Sequence, residues 1–329
     1  MKTIVIILLV VLAAGSSFAL TGLTEGAVPD VEKLLAKVKE GQEFVFIDDM
    51  AFRVETLRKT GFIGSPWPGG YVYYQFDEGV DAWQRDNWRA AAALWSQVAN
   101  LTFVEDVGCP PLGCFISVFE HASRNYSEVG WQGFPQEMGL ATWNDLYIIA
   151  HEICHALGFV HEQSRTDRDT YVEIVWDNII DEKEHNYEIR DTVNLTPYDF
   201  DSLMHYGPGG GFLEPGLVCP PDCAILVREP WNAQWQWAIG QRDHFSAYDI
   251  AGVSAIYGVP CHGPIYVDFW HIVPGNGSSV YPFPSLATAL DYACAGAEIR
   301  LKAGQQPFAP ILISDDVLLT SYGGSAVID

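Results

Sequence analysis

The chain has 329 residues, 42 of them acidic against 18 basic, for a formal charge of −24. That length can bury a large core and hold more than one folding unit. The charge argues against nucleic-acid partners and against attraction to anionic lipid, and it serves solubility.

Residues 1–19, MKTIVIILLVVLAAGSSFA, join one lysine, a continuous apolar run and Ser17-Phe18-Ala19 as a small-x-small site. This is the pattern of a secretory signal peptide cut after Ala19. The apolar run is shorter than the ~20 residues of a spanning helix, so no membrane anchor is expected. Secretion permits disulfides, and seven cysteines leave at least one unpaired. Cys154 is the expected odd one. Cys109 with Cys114 and Cys219 with Cys223 bracket proline-rich loops, and Cys261 with Cys294 spans the last segment; the sequence leaves these pairings open.

The spacing of apolar residues predicts a short amphipathic helix over residues 31–39. The following EFVFIDDMAF sets Asp48 and Asp49 between apolar residues, a place for charge if a cation meets it, or else a surface turn. Arg58-Lys59 and the flexible GFIGSPWPGG read as a processing site and a linker. From Tyr71 the texture is that of a packed domain. YVYYQF, LTFVE and FISVF read as strands, and residues 82–98 as a helix with Trp88, Ala91, Leu94, Trp95 and Val98 on one side. MGLATW, residues 138–143, is expected to be an edge strand, a place for an extended peptide to pair its backbone.

HEICHALGFVHE, residues 151–162, carries the chemistry. On a helix His151 and His155 project from one face and meet one metal ion, with Glu152 beside them. If the helix continued, His161 would lie roughly 15 Å along the axis from His151, far beyond the ~2 Å of a zinc–nitrogen bond. The helix must therefore stop, and Gly158, free to take positive φ, is the residue that turns the chain back. Further on, Met204 and Tyr206 sit in a turn-like stretch before GPGGG, where alone they would be core filler and a surface aromatic.

Together HEICHALGFVHEQSRTDRDTYVEI, SLMHY and IGQRDHFSAYDIAGVSAIYG resemble the astacin family of metzincin zinc metalloendopeptidases, over roughly Ser65 to Val259. The resemblance implies an α+β, two-lobed catalytic domain with a mixed-sheet upper lobe and an active-site helix. It implies His151, His155 and His161 as ligands of one Zn2+, Glu152 as general base, Met204 as the apolar floor of the Met-turn, and Tyr206 as an extra zinc ligand that swings away to hydrogen-bond the oxyanion. Glu162 is implied to meet the new N-terminus after activation, unless it bonds nearby backbone. Astacin propeptides carry Phe-x-Gly-Asp, whose aspartate binds zinc. Phe46-Ile47-Asp48-Asp49 is similar with aspartate in place of glycine, making Asp49 the expected blocking ligand and Asp48 the second candidate. No cysteine precedes Cys109, which rules out a cysteine switch.

The organisation expected is a signal peptide (1–19), an inhibitory propeptide (20–60), a protease domain (61–259) and a small β-rich segment (260–329) resembling the start of a parallel β-helix. The function expected is a secreted zinc endopeptidase made as a zymogen, cutting protein or peptide substrates bound extended along the cleft with a water activated by Glu152, and released by an activating protease. The alternative is a catalytically silent zinc scaffold used for adhesion or carbohydrate binding through its C-terminal segment. Loss of Glu152 would mark such a protein, and Glu152 is present. A purely structural zinc site is disfavoured because closed sites take four protein ligands with cysteine.

Overall fold

The computed structural model describes residues 38–39, 42–53, 65–105, 114–190, 192–270, 275, 277, 279, 282–304 and 316–324. The expected signal peptide, most of the helix expected over 31–39, the expected processing site at Arg58-Lys59 and Cys109 lie outside them.

A seven-stranded sheet carries the first half of the chain. It contains β1 (Phe44–Ile47), β2 (Met50–Arg53), β3 (Tyr71–Phe76), β4 (Thr102–Glu105), β5 (Ile116–Glu120), β6 (Tyr126–Glu128) and β7 (Gln136–Leu140). Their spatial order is β1-β2-β6-β7-β5-β3-β4. Pairing is mixed. β4, β3, β5 and β7 run parallel, β6 is antiparallel to β7, and the β1–β2 hairpin joins through a parallel β2–β6 pairing with Met50 opposite Ser127 and Ala51 opposite Glu128.

The 138–143 stretch is therefore not an edge strand. Residues 138–140 belong to β7, which is interior, because β6 folds back against it. Hydrophobic pattern marks a strand but is silent on its neighbours, which are set by where the chain returns. The outer strand that meets the hairpin is β6.

Helix α1 (Ala82–Val98) starts where the Asp81 N–H donates to the Gln84 side chain. Trp88 and Trp95, two turns apart on one face, are fully buried against the sheet. Helix α2 (Leu146–Ala156) packs beside α1, and the Trp95 indole N–H donates to the Ala150 carbonyl at 2.9 Å. The sheet, α1 and α2 share one core, which includes Val72, Ile116, Met138, Ile149 and Ile153.

Below α2 the chain forms a second lobe of short 3-10 turns, the antiparallel pair β8 (Val172–Ile174) and β9 (Ile225–Val227), the one-turn α3 (Asn232–Trp235), and α4 (Ala247–Tyr257). Its own core is aromatic, with Tyr187, Tyr198, Phe200 and Tyr206. Cys219 and Cys223 are joined by a disulfide.

The last segment has β10 (Ile265–Val267), α5 (Leu286–Tyr292), β11 (Ala297–Lys302) and β12 (Val317–Tyr322). The three strands pair in parallel around a separate core, and Cys261 is disulfide-bonded to Cys294. Cys154 is buried and free, as expected of the odd cysteine. No described helix is long and apolar enough to cross a membrane.

Candidate metal centre

Helix α2 positions the first two histidines. Asp145 caps it, its carboxylate accepting from the N–H groups of Tyr147 and Ile148 at 3.0 and 3.3 Å. The helix ends at Ala156, and Gly158 follows at φ 106°, a conformation that strains any residue with a Cβ. Side chains from distant segments take the helix's last carbonyls: the Trp67 indole donates to Ala156 and the Tyr257 hydroxyl to Leu157. The reversed chain carries His161 to ring-centroid distances of 5.5 Å from His151 and 4.8 Å from His155.

Backbone carbonyls set the tautomers. The His151 Nδ1–H donates to the Leu203 carbonyl at 2.9 Å and the His155 Nδ1–H to the Phe159 carbonyl at 2.7 Å. A carbonyl only accepts, so Nδ1 of both rings carries a proton, and their Nε2 atoms are turned toward Asp49. Leu203 immediately precedes Met204, and its position is fixed by Asp249, which accepts from the Ser202 hydroxyl and the Leu203 N–H at 2.7 and 2.8 Å.

Asp49 fills the space between the rings, 102 residues earlier in the chain than His151. Its carboxylate oxygens lie 3.1, 3.2 and 2.9 Å from Nε2 of His151, His155 and His161. The contacts of His151 and His161 are not ion pairs. Burial pushes His151 down to about 3 and His161 to about 4, so both rings are neutral near pH 7. With His151 and His161 neutral, the Asp49 carboxyl oxygens face their Nε2 lone pairs, an arrangement that a cation held between them satisfies.

The donor set fits zinc. Asp49, His151, His155 and His161 each offer one atom, and the four lie within 4.8 Å of one another. Nε2 of His155 and His161, Oδ1 of Asp49 and one oxygen of Glu152 are buried with no hydrogen bond. Two ligands about 2 Å from a tetrahedral zinc sit about 3.3 Å apart, close to the contacts observed.

Asp48 and Asp49 form the turn of the β1–β2 hairpin, and Asp48 takes φ 54°. The Asp48 N–H donates to Oδ1 of Asn186 at 3.0 Å, and the Tyr206 hydroxyl donates to its carboxylate at 2.5 Å. Burial, then the charge of Asp49, raises Asp48 to about 7. Burial keeps the Tyr206 phenol protonated, so it is a donor. Tyr206, expected as an extra metal ligand, has its hydroxyl held by Asp48, while its N–H donates to Gln163. Met204 is buried in the main core, and its carbonyl accepts from the Glu162 N–H at 3.0 Å.

Glu152 is buried beside the three rings, its carboxyl raised well above the ordinary range by burial and then by Asp49 and Asp48. Glu162 lies on the far side of His161. It accepts from Arg165 at 3.0 Å and from the Asp199 N–H at 2.8 Å, and burial pushes it up to about 8 against the pull of Arg165. Both a cation and nearby backbone thus partner it.

Three contributors were not anticipated. Asp249 was readable in part, since Ser246-x-x-Asp249 is a capping box that also marks α4. Asn186 and Gln163 are isolated amides in polar stretches and acquire a role only through the residues packed against them.

With this geometry in hand, the comparisons with known proteins agree on one group. The sequence model of the peptidase family described as Astacin matches residues 60–258. High choriolytic enzyme 1 of Oryzias latipes is 41% identical over 146 residues, 44% of this chain and 50% of that protein. Meprin A subunit alpha of Rattus norvegicus is 42% identical over 145 residues, 43% of this chain and 18% of that one. The solved structure of high choriolytic enzyme 1, a hatching enzyme zinc-protease, is similar with a TM-score of 0.52 at 31% identity, covering 60% of this chain and 96% of that chain. This chain spans about half the length of the choriolytic relative and less than a fifth of the meprin subunit. Because the family match runs over more than half of its length, the chain belongs to the astacin family.

Proposed function

We propose that the chain is the latent precursor of a zinc endopeptidase, in which Asp49 occupies the place the attacking water takes in the active form. The observation that carries this reading is Asp49 seated within 3.2 Å of Nε2 of all three histidines on a hairpin that precedes the family match. Members of the astacin family bind one catalytic zinc, and His151, His155 and His161 are the residues that would hold it here. Zinc when bound supplies a Lewis acid that polarises the scissile carbonyl and lowers the pKa of water toward ~7. Glu152 takes the water's proton and returns it to the leaving amine. Tyr206, released from Asp48, donates a hydrogen bond to the developing oxyanion. Met204 supplies the apolar floor, and its preceding carbonyl keeps His151 in register.

On this reading residues 1–19 are a signal peptide, 20–60 an inhibitory propeptide that an activating protease removes, and 61–259 the protease domain. Residues 260–329 form a small appended module built like the first turns of a parallel β-helix. The product is secreted and acts on proteins or peptides lying extended along the cleft, and Glu162 meets the new N-terminus.

The test is casein hydrolysis by the zinc-loaded chain before and after removal of the hairpin. Activity is expected only afterwards, lost on chelation, and reduced by a factor on the order of 10³ or more in Glu152→Gln. Full activity in purified Glu152→Gln would refute the mechanism.

A further inference from the structure

Arg53, the last residue of β2, is held by three groups of the protease domain. Its Nε–H donates to Oε1 of Glu128 at 2.9 Å, and its Nη2 donates to Oε2 at 3.3 Å and to the Pro135 carbonyl at 3.1 Å. Its guanidinium carbon lies 4.9 Å from the centre of the Phe134 ring. Glu128 is itself anchored, accepting from the Glu137 N–H of β7 at 2.7 Å. A planar guanidinium satisfied by a two-pronged carboxylate, a carbonyl and an aromatic face is a fit that an ammonium group does not reproduce.

Phe44 of β1 also lies against the guanidinium, its ring centre 4.8 Å away; the rest of this pocket belongs to the domain, and its occupant does not. The Glu128 side chain has no solvent exposure beneath Arg53, and among the described residues the cation paired with it is Arg53. Burial pushes the Glu128 carboxyl up to about 7 and the guanidinium pulls it back, so this carboxylate gains from a cation laid over it. Glu128 lies on β6, the strand whose Ser127 N–H is taken by the Asp49 carbonyl at 2.8 Å, so the hairpin uses the backbone that an extended substrate would use. Arg53 follows Asp49 by four residues, about 13 Å along an extended chain.

The geometry points to Glu128, Phe134 and the Pro135 carbonyl as a guanidinium-binding subsite of the open cleft, selecting substrates with an arginine three to four residues from the scissile bond on the β6 side. The inference rests on the protease reading above, and it names a substrate class for that site.

Two measurements on the full zinc-loaded chain, activated by limited proteolysis, test it. The first is kcat/KM on a peptide library with arginine, lysine or citrulline placed in turn at each position. Citrulline keeps the shape and removes the charge. Arginine is expected to exceed citrulline by about tenfold at one position on the β6 side, with lysine between them, and the ratio is expected to fall toward one in Glu128→Gln. Glutamine keeps an acceptor for the Glu137 N–H. Phe134→Leu is expected to lower the ratio in part. The second is binding of a peptide covering residues 42–57, with arginine or citrulline at position 53, whose affinity is expected to drop about tenfold with citrulline in the wild type and little in Glu128→Gln. Cleavage with no preference between arginine and citrulline would overturn the subsite and leave the protease standing. Charge-dependent binding with no cleavage of any peptide would overturn the protease and leave the pocket. Equal binding of the two peptides would overturn the pocket.

Discussion

Asp48 is the one described residue other than glycine with positive φ. That conformation costs an L residue roughly 1–2 kcal/mol, and aspartate is among the few that bear it. The cost is offset by the bonds from its own N–H to Asn186 and from Tyr206 to its carboxylate. The hairpin therefore has two holds: Asp49 faces the histidines while Asp48 accepts from the Tyr206 phenol. Asp49→Ala is expected to raise casein hydrolysis by the uncleaved chain at least tenfold, and Asp48→Ala by less. If Asp49→Ala stays inert while Asp48→Ala is active, the blocking residue has been assigned one position too late.

Helix α2 and the turn after it form the element on which the site depends. Truncating the cap in Asp145→Ala leaves two helix N–H groups without their acceptor and is expected to lower stability by about 1 kcal/mol, read as a shift in denaturant midpoint. Gly158→Ala forces a Cβ onto φ 106° and is expected to cost about 1–3 kcal/mol. Because this turn aims His161, the Gly158 variant should also bind zinc more weakly, measured by competition with a chelator, whereas the Asp145 variant should lose stability with little change in zinc affinity.

At the scale of the molecule, buried carboxylates tie the segments below the site to one another. Asp199 accepts from the hydroxyl of Ser246, the N-cap of α4, and burial raises its pKa from 3.8 to about 6. The folded state thus holds this proton more tightly than the unfolded chain. The stability it contributes is present below about pH 4 and is lost as pH rises through about 6, on the order of 2–3 kcal/mol. Asp199→Asn is expected to flatten that slope, so denaturation midpoints of variant and wild type should diverge between pH 4 and 7. A constant offset would show that the carboxyl does not titrate in this window.

Local chemistry was legible in the sequence wherever it depends on spacing. The histidines four apart with a glycine before the third determined a metal face and a chain reversal, because helical pitch and the freedom of a residue without Cβ are local properties. The bounds of α1, the parallel strands of the last segment and the odd cysteine at 154 followed from similar patterns. What packs beside what was decided only by the tertiary structure. The pattern of residues 138–143 suited an edge strand, yet β6 returned to cover β7, and it is β6, Tyr126–Glu128, that pairs with the hairpin. The contact of Asp49 with His151, 102 positions apart, was expected through the family resemblance and not through any local pattern, while those of Asp48 with Tyr206 and Arg53 with Glu128, 158 and 75 positions apart, were not foreseen. No periodicity encodes such meetings, because they arise when the hairpin settles into a cleft that the rest of the chain must first build.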